Sequence, residues 1–157
     1  MKDEYVKDFD AWNEYAKKLE RVDFSGFFRA REMWWCSLGT NIGGEQDGKN
    51  KSFERPVLVL RRMRHDLALV VPLTSRISEH PDRVLIKIGL DEYQILLSQV
   101  KTVSCKRLLR RAGYAKIEIF KTVVLKLGLM ILQAYEENET PPGRRGISEP
   151  EGIVREL

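Results

Sequence analysis

At 157 residues the chain holds enough sequence for one domain with a real core and too little for two large ones. Its apolar and charged fractions, 43% and 32%, are those of a soluble protein and exclude global disorder. The net charge of +4 is unevenly spread: residues 26–135 hold nineteen Lys/Arg against ten Asp/Glu, between mildly acidic ends, which suits a polyanionic ligand such as nucleic acid or else a solvated surface that leans positive.

Residues 3–22 carry Tyr5, Phe9, Trp12, Ala16 and Leu19 on one helical stripe, with Lys7, Asp10, Glu14, Lys17 and Lys18 turned away from it. The expected element is an amphipathic helix, within an N-terminal segment 1–25, packed on the rest of the chain. From Phe27 the pattern turns to short apolar runs. Met33–Leu38 reads as an aromatic-rich strand, and 56–61 and 67–71 as buried strands joined by a turn at Arg64-His65-Asp66. A further strand is expected at 84–88, and one or two within 94–104. Residues 116–135 return to helical spacing, with Ile117, Phe120, Val124, Leu127, Ile131 and Ala134 assigned to one core-facing stripe and Val123 and Met130 widening it. After Glu136 the pattern ends, and Thr140-Pro141-Pro142-Gly143 breaks the chain; 137–157 is expected to be an extension of low intrinsic order. Helix, five to seven short strands, helix: this order predicts a small antiparallel barrel or half-barrel over 26–136.

Many familiar chemistries have no anchor. There is no Walker loop, GxGxxG, HExxH or GxSxG. Cys36 and Cys105 form no CxxC pair, and His65 and His80 stand fifteen residues apart, so neither a metal nor a cofactor is expected. The N-terminus lacks a signal-peptide layout and no apolar run could span a bilayer, which gives a cytoplasmic, non-membrane reading.

The remaining candidates are polar residues at strand boundaries. A long polar loop, Gly39–Glu54, holds four glycines together with Glu45, Gln46 and Lys49. Arg55 precedes the strand beginning at Pro56. Thr74 and Ser75 follow Val71-Pro72, and Gln99 and Lys101 lie further on. Singly, an arginine before proline reads as surface charge and a threonine after a strand as a turn former. If 56–60 and 67–71 pair as a hairpin, however, Arg55 and Thr74 share its open end and can converge on one phosphate.

Gly43-Gly44-Glu45-Gln46-Asp47-Gly48, then Arg55-Pro56-Val57-Leu58-Val59, then Val71-Pro72-Leu73-Thr74-Ser75, then Leu97-Ser98-Gln99-Val100-Lys101-Thr102-Val103 resemble, in that order, the MazF/PemK family of type II toxins. The resemblance spans roughly residues 28–135. It implies an α+β fold, an SH3-like barrel with a C-terminal helix, and a homodimer. It also implies cleavage of single-stranded RNA without a metal, leaving a 2′,3′-cyclic phosphate and a 5′-hydroxyl, and restraint by a cognate antitoxin. Arg55 and Thr74 match the family's catalytic pair. Glu45 and Gln46 fall beside its RNA channel, with Lys49, Ser75, Gln99 and Lys101 as further RNA contacts. Eight residues, Asp47 to Glu54, separate Gln46 from Arg55, more than the family usually places there, so cleavage specificity does not transfer. The same barrel serves CcdB-like poisons that grip gyrase, and a relative that binds RNA without cutting it is a third reading.

Overall fold

The computed structural model describes residues 6–64 and 66–139; residues 1–5, His65 and most of the 137–157 extension lie outside it. The order is α1 (Phe9–Glu20), β1 (Glu32–Ser37), β2 (Glu54–Arg62), β3 (Leu67–Thr74), β4 (Arg83–Ile88), β5 (Asp91–Leu96), β6 (Lys101–Ser104), β7 (Leu108–Tyr114) and α2 (Ile117–Glu139). All strand pairs are antiparallel, and the sheet runs β4-β5-β3-β2-β1-β7, with β6 on the other half of β3. β3 is thus the branch point. Its first half (Leu67–Val70) pairs with β6, its last two residues pair with β5, and the sheet curls into a half-barrel around it.

The apolar runs of β2 and β3 follow from burial on both faces. Leu58, Val71 and Leu73 belong to a core completed by Met33, Ile86, Ile95, Val123 and Leu127, beneath α2. Val57, Val59, Ala68 and Val70 face the other way, toward Phe28, Cys36, Leu38, Val103 and Leu108. Cys36 and Cys105 are free and buried here, and burial pushes the Cys36 thiol up to about 12.

α1 begins later than its stripe suggested. Asp8 caps it, its carboxylate accepting from Ala11 N–H at 2.8 Å. Trp12, Ala16 and Leu19 face the barrel, but Phe9 in the first turn is exposed, and Tyr5 lies outside the described residues.

Three other expectations change. β3 runs through Thr74 rather than ending at Val71-Pro72, because β5 extends the ladder there. β7, with Arg110 and Arg111 on an edge strand beside β1, escaped an apolar pattern search. Of the expected α2 stripe, Phe120, Val123, Leu127 and Met130 pack on the core, joined by Ile119, whereas Val124 and Ile131 are 47% and 65% exposed with Leu125, Leu129 and Leu132. A helix apolar nearly all round gives no single stripe to read. It also continues to Glu139 through residues that favour helix without adding apolar spacing. Among the described residues no helix is long and apolar enough to cross a membrane.

Candidate active site

Arg55 continues the Val57/Val59 face of β2, and Thr74 continues the Ala68/Val70 face of β3. The paired register ends at Val57 opposite Pro72, and Arg55 and Thr74 each follow two residues beyond that pair on the same face. Directly opposed residues project from the same face. Thr74 is paired in turn with Gln94 of β5. The second core cluster therefore ends in a polar row, Arg55–Thr74–Gln94, at the open end of the hairpin.

The Arg55 guanidinium is aimed by two main-chain carbonyls. Its Nε donates to Asp47 O at 2.7 Å, and Nη1 donates to Leu73 O at 3.2 Å, one residue before Thr74. The Thr74 hydroxyl accepts from Arg76 N–H at 3.2 Å. A hydroxyl that accepts in this way still has its proton to donate. Gln94, buried, secures the segment after Thr74 by accepting from Ser78 N–H (3.0 Å) and donating to Ser78 O (2.9 Å).

Two adjoining clefts meet at Arg55. One, of about 290 Å³, is lined by Lys7, Gly43 to Lys49, and Arg55. The other, of about 240 Å³, is lined by Trp35, Lys49, Asn50, Glu54, Arg55, Pro56, Leu73, Ser75 and Tyr93. Glu45, Gln46, Lys49 and Ser75 thus all border cleft space next to Arg55. Thr74 lines neither cleft, although Leu73 and Ser75 flank it. Gln99 serves the loop: it accepts from Gln46 N–H at 3.2 Å and donates to Gly44 O at 3.2 Å. Lys101, paired with Val70 on β6, lines neither cleft.

The two tryptophans part company as alternation requires. Trp34 donates its indole N–H to Glu32 at 2.9 Å and packs on the second core cluster. Trp35 faces the second cleft, with the Arg110 guanidinium 5.0 Å from its ring. Arg110 also grips Glu54 through two bonds of 2.8 and 2.9 Å. That hydrogen-bonded guanidinium holds the Glu54 carboxyl below its ordinary value against the opposing effect of burial. Sequence reading missed Glu54, Gln94 and Arg110; only the neighbourhood of Glu54 and Arg55 hinted at the first. Among the described residues no three His, Cys, Asp or Glu side chains converge.

The chain belongs to the PemK-like, MazF-like toxin family of type II toxin-antitoxin systems, whose family model matches residues 29–131. MazF from Deinococcus radiodurans superposes with a TM-score of 0.59 at 23% identity, covering 69% of this chain and 98% of its own. An endoribonuclease in complex with its cognate antitoxin, from a mycobacterial species, gives 0.52 at 14%, covering 67% and 95%. Mycobacterium tuberculosis toxin MazF-mt6 gives 0.51 at 17%, covering 64% and 96%. These likenesses show the curled antiparallel half-barrel with its C-terminal helix. No curated protein sequence matches the chain. α1 lies outside the matched residues.

Proposed function

We propose that this chain is the endoribonuclease toxin of a type II pair, cutting single-stranded RNA at the Arg55 end of the β2–β3 hairpin. The observation that carries the reading is Arg55, bonded to Leu73 O one residue before Thr74, at the meeting of two clefts that share Lys49. In the reaction the 2′-oxygen attacks phosphorus, the bond to the 5′-oxygen breaks, and the proton lost at O2′ is balanced by one gained at O5′. The products are a 2′,3′-cyclic phosphate and a 5′-hydroxyl.

A guanidinium suits the charge that develops on the phosphorane oxygens, because it is planar, always charged and rich in donors. The Thr74 hydroxyl is a donor to the same phosphate or an orienter of the 2′-OH, and a weak base. Glu54 is a poor base as well: its two oxygens are held by Arg110 and its proton affinity is lowered. Glu45, exposed on the first cleft, is this reading's candidate base if the loop folds inward over RNA. Holding the 2′-oxygen in line with the leaving oxygen supplies much of the remainder. By this reading the chemistry runs without a metal.

A cognate antitoxin is the protein partner, as the mycobacterial endoribonuclease was captured with its own. An acidic segment that folds on binding is the chemistry that fits the Arg55 and Lys49 cations these clefts share. A homodimer is supported by α2, whose exposed Val124, Leu125, Leu129, Ile131 and Leu132 form an apolar face of the kind a second copy covers. The test is incubation of the purified protein with mixed RNAs in EDTA, followed by end analysis. Cyclic phosphate and 5′-hydroxyl ends are expected. Cleavage that stops on chelation would overturn the metal-free chemistry, and growth arrest without any RNA cleavage would favour the protein-gripping reading.

A further inference from the structure

α1 has no place in the mechanism above, yet it is joined to the loop that aims Arg55. Lys7, just before the helix, directs its ammonium at three loop residues. Nζ donates to Asn41 O at 2.6 Å and Gly43 O at 3.0 Å, and pairs with the Asp47 carboxylate at 3.2 Å. An ammonium has three protons to donate, and here it meets three acceptors. The Lys7 and Asp47 side chains are only 25% and 12% exposed, so solvent screens the pair less than at an open surface.

Asp47 is the junction. One carboxylate oxygen takes Lys7, the other accepts from Asn41 N–H at 2.6 Å, and its main-chain carbonyl accepts from Arg55 Nε at 2.7 Å. A shift of the Asp47 backbone therefore alters the bond made by Arg55 Nε, one of those that orient the guanidinium. α1 grips the same loop again at its end. Phe53, two residues before Arg55, sits at φ +48, an uncommon conformation for an aromatic residue. Its ring lies 5.4 Å from Trp12 and 5.8 Å from Tyr15.

We infer that Lys7 is a positioning residue for Arg55, acting through Asp47, so that the segment before the barrel sets the direction of the phosphate-binding guanidinium. The kinetic part rests on the ribonuclease reading; the structural part does not. Lys7 also lines the first cleft, so the competing possibility is that it touches RNA directly.

The experiment compares full-length wild type with Lys7→Met, Lys7→Arg, Asp47→Asn and the Lys7→Met/Asp47→Asn pair. It records kcat, KM and Tm on one RNA, and the exchange rate of the Arg55 Nε–H proton by NMR, assigned from its loss in Arg55→Ala. Positioning predicts a kcat lower by about ten- to a hundredfold in Lys7→Met, with KM little changed. It predicts substantial rescue in Lys7→Arg, a double variant no worse than the poorer single, and faster Nε–H exchange. A raised KM at unchanged kcat, with a salt slope smaller by about 0.7, would overturn it in favour of direct RNA contact. Unchanged Nε–H exchange in Lys7→Met would also overturn it. If wild type cuts no RNA, the ribonuclease reading fails on its own, and the exchange rate alone still decides the positioning claim.

Discussion

Gly48 and Glu54 show how tightly single residues fix the edge of the site. Gly48 N–H donates to Gly39 O at 2.8 Å, and a Cβ built at Gly48 would lie 1.6 Å from the Phe53 carbonyl oxygen. Gly48→Ala must push the loop off the start of β2, and a loss of about 1–3 kcal/mol is expected in urea unfolding. An alanine variant of wild-type stability would contradict this packing. Glu54 governs acid behaviour. Its folded pKa lies below the ordinary 4.5, so its contribution is complete above that value and is lost as pH falls through the depressed folded value. Wild type should therefore lose stability on acidification below roughly pH 4.5 more steeply than Glu54→Gln, which starts less stable at neutral pH. Arg110 is 56% exposed, which keeps the neutral-pH difference modest, about 1–2 kcal/mol. Parallel acid profiles of the two proteins would refute that role.

Among the elements, those that mark their burial with apolar residues, on one face or on both, could be read from sequence, and those without such a run could not. β2 and β3 carry continuous apolar runs that match burial on both faces, and β4 alternates as a single buried face requires. β7 turns its arginines outward along a sheet edge and carries little apolar signal. The α2 stripe was only partly legible because the helix is apolar on its exposed side too. α1 was legible as a helix, yet its role was not. Nothing in the spacing of Trp12 or Tyr15 shows that their partner is Phe53, thirty-eight residues beyond Tyr15. Trp12→Ala should cost about 2–3 kcal/mol, below the full core value because Trp12 is only half-buried. Amide exchange should then rise in both α1 and residues 50–54. A rise confined to α1 would show that the helix does not hold the loop.

At the scale of the whole molecule, the half-barrel and the order of its motifs were both available in sequence, since short strands and the Arg55-Pro56 and Pro72-Leu73-Thr74 segments are local signals. The row across three strands was not, because Gln94 joins it only through the branching of β3. Lys7 and Arg110 reach the site from far before and far after Arg55 in sequence, beyond any local pattern. Quaternary structure has its own test. Leu125→Glu with Leu132→Glu places charge on the exposed face of α2 and should convert a dimer to a monomer in light scattering, with the fold retained. A dimer that survives both substitutions would move the interface elsewhere.

The single-turnover rate of Arg55→Ala against wild type, on one RNA in EDTA, tests whether Arg55 stabilises the phosphorane of RNA cleavage. A rate lower by about 10²–10³ is expected in a variant that still folds and binds RNA. Equal rates for the two proteins would contradict it.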